Sequence, residues 1–125
     1  MSHVHHGIDY IEFCVEDLAA AKAFFAAAFG WAFNDYGDAY VGIKNPAGEE
    51  AGPPEIGGMR RAERAPADAD GYPLVILYSE DLAASVASVE GAGGHIVDPP
   101  FEFPGGRRFH FRDPSGNLMA VWSSR

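Results

Sequence analysis

The sequence is poor in basic residues and has no long apolar run. It contains 9 Lys and Arg and 18 Asp and Glu, which gives a formal net charge of −9. Sequence-independent nucleic-acid binding needs clustered Lys and Arg, so this balance argues against a nucleic-acid partner and against an anionic membrane surface. No apolar run approaches the roughly 20 residues of a membrane helix. We therefore predict no nucleic-acid partner and no membrane partner.

Cysteine is almost absent, and the N-terminus lacks the features of a leader peptide. The single Cys14 cannot form an intramolecular disulfide, which fits a reducing compartment. Residues 1–6 lack a basic region followed by an apolar stretch, so they do not resemble a secretory signal, and we expect a cytoplasmic protein. His3, His5 and His6 could bind a stray transition metal, but we favour a flexible N-terminus over residues 1–7.

A short repeat divides the chain. The segment Glu16-Asp17-Leu18-Ala19-Ala20 recurs at residues 80–84. In each copy an extended apolar run precedes the segment, and a helical pattern, a glycine and further extended runs follow it. Asp17 is the predicted N-cap of the first helix, and Gly30 is its predicted left-handed C-terminal residue. The second copy predicts a buried strand at 74–78, a helix at 82–91, and later strands at 95–98, 101–103, 107–112 and 118–123.

These patterns predict two β-α-β-β-β modules, at residues 8–64 and 72–125, joined by a linker over 65–71 rich in small, acidic and turn-forming residues. A module of about 60 residues does not bury its sheet unaided. The two modules must therefore pack together as one domain or pack against a second chain.

Three segments carry a family resemblance, namely residues 10–18 (YIEFCVEDL), 29–31 (FGW) and 109–117 (FHFRDPSGN). Together with the two modules they resemble the vicinal oxygen chelate superfamily, which includes glyoxalase I, extradiol dioxygenases, fosfomycin-resistance transferases and bleomycin-resistance proteins. The resemblance implies an α+β fold in which two β-α-β-β-β modules form a curled mixed-sheet cup, as a dimer. It leaves the activity open, because this fold hosts lyases, dioxygenases, transferases and plain binding proteins.

The resemblance also implies three metal-ligand positions, which here hold Tyr10, Leu74 and Ala120. Leu and Ala side chains have no donor atom for a divalent ion, and Tyr is an uncommon ligand for these ions. We therefore predict no metal at the family site and no other cofactor.

Strand alternation and the resemblance together predict which side chains line the cup. The predicted catalytic residues are Glu12 and His110. The predicted substrate-binding residues are Tyr10, Cys14, Leu74, Ile76, Arg108, Ala120 and Trp122.

Several of these residues also have a plain structural explanation. A buried Glu12 needs a partner. In a structural role it would form an ion pair with Arg107 or Arg108, or accept hydrogen bonds from the backbone. In a functional role it would act as a general base, or anchor an amine or hydroxyl group of a ligand. His110 suits proton transfer, but it could simply bond Glu12 or Tyr10 inside the pocket.

Trp122 could stack on an aromatic ligand or serve as a core or dimer contact. Cys14 could be a nucleophile, but the sequence shows no third orienting group. We favour the interpretation of Cys14 as a small buried apolar residue.

We predict a metal-independent small-molecule-binding protein, of the kind that sequesters a drug in bleomycin resistance. The ligand is expected to be cationic or aromatic, since an acidic chain suits a cation. One alternative is a lyase, an isomerase or a related enzyme that uses Glu12 and His110 as acid and base. Another is a metal-dependent glyoxalase-like or dioxygenase-like enzyme with recruited donors. A homodimer is expected because large apolar side chains are numerous: Trp31, Phe33, Phe101, Phe103 and Trp122.

Overall fold

The structure is a computed structural model that describes residues 3–62 and 72–124. The predicted linker over 65–71 lies outside the described residues. The chain forms two compact units. The first lies between Tyr10 and Pro73, and the second combines His3–Asp9 with the residues from Leu74 onward.

The first unit is a four-stranded mixed sheet with one α-helix. Its elements are β1 (Ile8–Val15, of which Ile8 and Asp9 belong to the second unit), α1 (Leu18–Phe29), β2 (Phe33–Asp35), β3 (Tyr40–Lys44), a 3₁₀ turn (Glu49–Ala51) and β4 (Glu55–Arg61). The strand order is β2-β3-β4-β1, in which β1 and β4 are parallel and the other pairs are antiparallel.

The second unit repeats this plan. Its elements are β5 (Leu74–Tyr78), α2 (Leu82–Gly91), β6 (His95–Phe103), β7 (Gly106–Arg112) and β8 (Leu118–Ser123). The strand order is β5-β8-β7-β6, again with one parallel pair, β5 and β8. The predicted α+β class with two β-α-β-β-β modules is therefore confirmed.

Both helices begin at the repeated aspartate. The Asp17 carboxylate accepts from the Ala20 backbone N–H at 3.0 Å, and the Asp81 carboxylate accepts from the Ala84 N–H at 3.1 Å. These bonds satisfy N–H groups that the first helical turn leaves without a helical partner. Gly30 ends α1 with φ 73°, a left-handed conformation that favours glycine, so the predicted ends of α1 are confirmed.

Each sheet uses one face for packing against its helix. In the first unit the core beneath α1 consists of Leu18, Val41, Ile43 and Met59, with Phe13, Val15, Ala21, Phe25, Trp31 and Phe33 packed against it. In the second unit the core beneath α2 consists of Leu82, Phe109 and Val121, with Leu77, Val86, Val89, Ile96 and Phe111 packed against it. Alternate residues therefore project from the opposite face, here called the helix-free face of each unit.

The N-terminal segment makes specific contacts within the second unit. The His6 backbone N–H donates to the Tyr78 carbonyl at 2.6 Å, and the Tyr78 N–H donates to the Gly7 carbonyl at 3.1 Å. The His3 ring stacks on the Tyr78 ring at 4.8 Å between centroids. Residues 3–7 are thus held by hydrogen bonds and ring stacking, where the sequence predicted a flexible N-terminus.

Among the described residues, neither α1 nor α2 has the length and apolarity that a helix needs to cross a bilayer.

Candidate functional site

A buried carboxylate forms the centre of the helix-free face of the first unit. Glu12 is only 3% exposed. The Tyr40 hydroxyl donates to its Oε1 at 3.1 Å, and the Tyr72 hydroxyl donates to its Oε2 at 3.0 Å. A carboxylate is costly to bury unless its oxygens accept hydrogen bonds, and these two phenols supply them.

The phenols form a directed chain. The Tyr10 and Tyr40 hydroxyl oxygens are 2.7 Å apart, and because Tyr40 gives its proton to Glu12, Tyr10 is the donor of this pair. Burial raises the pKa of Tyr10, Tyr40 and Tyr72, and the nearby Glu12 charge adds to the rise. The three phenols therefore stay protonated at neutral pH and act as donors.

Two glycines make room for these groups. Gly58 of β4 lies opposite both Glu12 of β1 and Gly42 of β3. A Cβ built on Gly58 would overlap the Tyr40 hydroxyl, and one built on Gly42 would overlap the Glu55 carboxylate. Because Gly42 and Gly58 have no side chains, the long polar side chains of Tyr40 and Glu55 can lie across the sheet at these positions.

Glu55 forms a second carboxylate cluster next to the first. Its Oε2 accepts from Asn34 Nδ2 at 2.8 Å and from the Tyr36 hydroxyl. Asn34 lies opposite Gly42, so this cluster occupies the outer part of the same sheet face.

Cys14 lies on this face as predicted, but a cation contacts its sulfur. Arg60 Nη2 donates to Cys14 Sγ at 3.4 Å, and the Arg60 guanidinium also lies 5.2 Å from the Tyr72 ring centroid. This contact does not supply the general base that a nucleophilic cysteine requires.

The remaining predicted site residues share the helix-free face of the second unit. Leu74, Ile76 and Ala120 are buried. The strand registers arrange the others in two rows across the sheet. One row is Ile76, Ala120, His110 and Asp98, and the neighbouring row is Tyr78, Trp122, Arg108 and Phe101.

His110 is paired with an acid that the sequence did not indicate. Its Nδ1 is 3.0 Å from Asp98 Oδ2, and its side chain is 14% exposed against 54% for Asp98. The Phe101 ring meets the His110 ring edge-on at 5.5 Å. The Arg108 guanidinium lies 5.8 Å from the ring centroids of both Phe101 and Phe103. Polar and aromatic groups therefore alternate over this face.

Trp122 is held by the N-terminal segment. Its indole Nε1 donates to Asp9 Oδ2 at 2.9 Å, while the other oxygen of Asp9 lies 2.7 Å from His3 Nδ1. The indole also meets the rings of Tyr78 at 5.0 Å and Phe103 at 6.1 Å. Its N–H is thus satisfied by Asp9, and its aromatic contacts extend the cluster around Arg108.

The three positions that the family resemblance implies for metal ligands do not suit a divalent ion. Leu74 and Ala120 are fully buried hydrocarbon. The Tyr10 hydroxyl is bonded to Tyr40, and burial keeps it protonated at neutral pH. Within residues 3–62 and 72–124, no group of three or more His, Cys, Asp or Glu side chains is placed to hold a metal ion.

A shallow groove of about 330 Å³ lies on the other face of the second unit, beside α2. Apolar side chains predominate in it, including Leu77, Val89, Phe111 and Val121. None of the residues predicted for ligand binding lines this groove.

Sequence reasoning missed the partners of the predicted residues, namely Tyr40, Tyr72, Asp98, Asp9 and Gly58. Alternation gave a usable signal for Tyr40, because the residues Val41 and Ile43 of the same strand are core. Tyr72 and Asp9 gave no such signal, because Tyr72 is 60 residues from Glu12 and Asp9 is 113 residues from Trp122.

The sequence also matches a known family over most of its length. The model for the Glyoxalase/Bleomycin resistance protein/Dioxygenase superfamily matches residues 7–121. The chain belongs to this superfamily. The resemblance seen in the sequence is thereby confirmed.

Three relatives show how far this similarity reaches. The chain is 24% identical over 124 residues to CFP32 of Mycobacterium bovis, a protein provisionally named a glyoxylase, and the match covers 93% of this chain. A Mn(II)-bound glyoxalase from Novosphingobium aromaticivorans is 29% identical, with a TM-score of 0.69 over 99% of this chain. Methylmalonyl-CoA epimerase from Streptomyces coelicolor has a TM-score of 0.70 at 16% identity, covering 96% of this chain and 98% of its own, which indicates a shared fold only.

The two glyoxalase-type proteins are longer than this chain, whereas the epimerase is of similar length. The chain spans 45% of the length of CFP32 and 40% of the Mn(II)-bound glyoxalase chain.

Proposed function

We propose that this superfamily member is a metal-independent protein that binds a small aromatic molecule. The observation that carries the proposal is the side-chain chemistry at Tyr10, Leu74 and Ala120, which supplies no metal-ligand set. Without a metal to polarise a substrate, binding rests on the side chains of the helix-free faces.

The helix-free face of the second unit is the proposed ligand surface. Trp122 and Phe103 supply aromatic contact area there, and Arg108 lies against Phe101 and Phe103. Aromatic rings and Arg attract a flat ligand by stacking and cation–π contact.

The test is a binding screen against aromatic and cationic compounds, measured by calorimetry on the wild type and two matched variants. Trp122→Leu and Trp31→Leu each remove one of the two indoles, but Trp31 packs against the core beneath α1. We expect the Trp122 variant to lose aromatic binding at least tenfold and the Trp31 variant to keep it. Equal losses in both variants, or no binding by any compound, would refute the proposal.

The rival function is metal-dependent catalysis, which the Mn(II)-bound glyoxalase relative suggests. Elemental analysis after manganese supplementation separates the two, and we expect no retained manganese. The His5→Asn, His6→Gln variant serves as the control for adventitious binding by the N-terminal histidines. Substitution is preferable to deletion because the His6 backbone bonds Tyr78. One manganese per chain, retained in that variant, would overturn metal independence.

An acid–base role for Glu12 and His110 stays a prediction. Tyr40 and Tyr72 donate to the two oxygens of Glu12, so a substrate proton would have to displace a phenol. This arrangement favours an anchoring role for Glu12 over that of a general base.

We also propose a homodimer formed through α1. The helix carries one charged residue, Lys22, which pairs with Asp35 at 2.6 Å, and it leaves Phe24 and Phe29 59% and 65% exposed. Because α1 has no acid, two copies of this acidic chain meet there without like-charge repulsion. Light scattering is expected to give a dimer for the wild type and a monomer for Phe24→Glu, Phe29→Glu. A wild-type monomer, or a variant dimer, would contradict this.

A further inference from the structure

The N-terminal segment places an imidazole ring against two aromatic rings of the second unit. His3 stacks on Tyr78, with 4.8 Å between the ring centroids and 18° between the ring planes. It meets Trp122 edge-on, at 5.0 Å and 89°. Because Tyr78 and Trp122 lie opposite each other in one row of the helix-free face, the His3 ring covers part of the proposed ligand surface.

A nearly buried carboxylate completes the surroundings of this ring. The Asp9 side chain is 7% exposed, and its Oδ1 lies 2.7 Å from His3 Nδ1. Its Oδ2 accepts from Trp122 Nε1 at 2.9 Å, so the indole fixes the carboxylate with Oδ1 directed at the imidazole. An ionised carboxylate only accepts hydrogen bonds, so His3 Nδ1 carries a proton and is the donor.

These contacts are the kind that a small planar ligand makes in a binding site. Such sites combine aromatic walls with a few fixed polar groups, and here one ring is stacked, one is edge-on, and one oxygen accepts. The His3 side chain is 27% exposed, so the space that it fills is open to solvent on one side. A free molecule with the chemistry of the His3 ring would find the same partners there.

The backbone that carries His3 is strained and partly exposed. Residues 3–7 bond the second unit through the His6 N–H, which donates to the Tyr78 carbonyl, and through the Gly7 carbonyl, which accepts from the Tyr78 N–H. His6 has a φ of 64°, in the left-handed region that is unfavourable for a residue with a side chain. The Val4 side chain is 73% exposed. Strain and exposure both weaken the attachment of this segment.

We propose that residues 3–7 are a displaceable strap whose His3 ring occupies the position of the ligand. The ligand is then a planar nitrogen heterocycle that donates an N–H group to Asp9 Oδ1. This inference rests on the proposed binding function, to which it adds the ligand class and an autoinhibitory contact. Because the ligand competes with His3, its apparent affinity is reduced by the fraction of molecules in which the strap is released.

A purely structural strap would pack against Trp122 and leave no exchangeable position. Removal of the His3 ring would then loosen the segment, but a free heterocycle would not replace the ring. Binding by a variant that lacks the ring, and competition in the wild type, therefore distinguish the two roles.

The first experiment uses the full chain with His3→Ala and two probes. 4-Methylimidazole reproduces the missing side chain, whereas 4-methylthiazole has a similar ring with sulfur in place of N–H. Binding is followed by ¹H–¹⁵N NMR of the two indole N–H groups, which Trp31→Leu assigns. We expect 4-methylimidazole to bind His3→Ala saturably and to shift the Trp122 signal. It should bind at least fivefold more tightly than 4-methylthiazole, the worth of one hydrogen bond.

Asp9→Asn in the His3→Ala background tests the acceptor. The indole N–H takes the amide oxygen, so the NH₂ group, a donor, faces the probe. We expect the preference for 4-methylimidazole to disappear. A preserved preference, or no binding of 4-methylimidazole by His3→Ala, would overturn the ligand class.

The second experiment measures competition by the strap. The wild type should bind 4-methylimidazole at least tenfold more weakly than His3→Ala. At saturation the His6 amide signal should move toward the position of an unstructured chain, because its bond to Tyr78 is lost. Val4→Ala is the matched control, since it shortens an exposed side chain of the same strap, and it should bind like the wild type. Equal affinities of the wild type and His3→Ala, or an unmoved His6 signal, would overturn the displacement.

These experiments fail separately from the proposed function. If compounds of the screen bind the wild type through Trp122 but His3→Ala does not prefer 4-methylimidazole, the binding function stands and this inference is wrong. If His3→Ala prefers 4-methylimidazole but the wild type binds no compound, the ligand class is supported, whereas the binding function and the displacement of the strap are wrong.

Discussion

A matching row of residues crosses each helix-free face, and the two rows differ most at the positions of Gly42 and Glu12, which are His110 and Ile76 in the second unit. In the first unit the row across the sheet is Asn34, Gly42, Gly58 and Glu12. In the second unit the corresponding row is Asp98, His110, Ala120 and Ile76. The strand order and the directions of pairing are the same in both units.

This difference shows that the repeat preserves the backbone and not the chemistry. The two glycines of the first unit leave space that Tyr10, Tyr40 and the Glu55 carboxylate fill from neighbouring positions. In the second unit the row carries its own functional group, His110, beside the buried Ala120. The first face is thus a preformed hydrogen-bond network around Glu12, and the second face presents an imidazole among aromatic rings.

The largest expected effect comes from filling the space in the first unit. In Gly58→Ala the new methyl group overlaps the Tyr40 hydroxyl and breaks its bond to Glu12. Overpacking of this kind costs roughly 1–3 kcal/mol, and a buried carboxylate that loses a donor adds to this cost, so we expect a loss of about 2–3 kcal/mol in urea unfolding.

Gly91→Ala is the matched control, since a Cβ there meets no atom within 4 Å and Gly91 is the last residue of α2. It should be neutral or stabilising by up to about 1 kcal/mol. If Gly58→Ala behaved like this control, the packing account of the first face would be wrong.

Much of the fold could be predicted because the governing interactions are local. The apolar run at residues 74–78 and the extended pattern at 118–123 predicted β5 and β8 with their observed bounds. The prediction failed where tertiary contacts decide. Residues 95–98 and 101–103 were expected as two strands, but β6 runs through Pro99 and Pro100.

The sheet face on which each site residue lies could be predicted, but the residues that bond it could not. Alternation placed Glu12 and His110 opposite the core, as the structure shows. Alternation also indicates the face of Tyr40, but the bonds that Tyr40 and Tyr72 make to Glu12 were not predictable, because these residues are 28 and 60 positions from Glu12 in the sequence. Asp98 faces His110 only because two register shifts precede and follow it, and no local pattern encodes such shifts.

A smaller effect comes from the helix N-caps, which the two units share, and tests whether both caps contribute equally to the free energy of unfolding. Asp17→Ala and Asp81→Ala each remove one N-cap of the same geometry. We expect each to cost about 1 kcal/mol in urea unfolding, and Asp→Asn at either position to restore most of it. Costs that differ by more than about 1 kcal/mol would show that the repeated motif has lost its equivalence.

The last effect, which at neutral pH is no larger than that of an N-cap, concerns the tyrosines, of which the first unit holds Tyr10, Tyr36, Tyr40 and Tyr72. Burial raises the pKa of Tyr10 and Tyr40 above the ordinary value of about 10. The folded chain therefore keeps protons that the unfolded chain loses. Their contribution to stability is complete below about pH 10 and falls as the pH rises further.

In a pH titration followed by phenolate absorbance, the folded protein should form phenolate at a higher pH than the protein unfolded in urea, which should titrate in the ordinary tyrosine range. Tyr40→Phe should lower the stability at neutral pH by about 1 kcal/mol, because a hydrogen bond to Glu12 is lost. The same variant should show a shallower decline of stability above about pH 10, because one raised pKa has been removed. An unchanged alkaline slope in Tyr40→Phe would mean that the phenol chain is not buried as the structure has it, and the contrast between the two faces would lose its chemical basis.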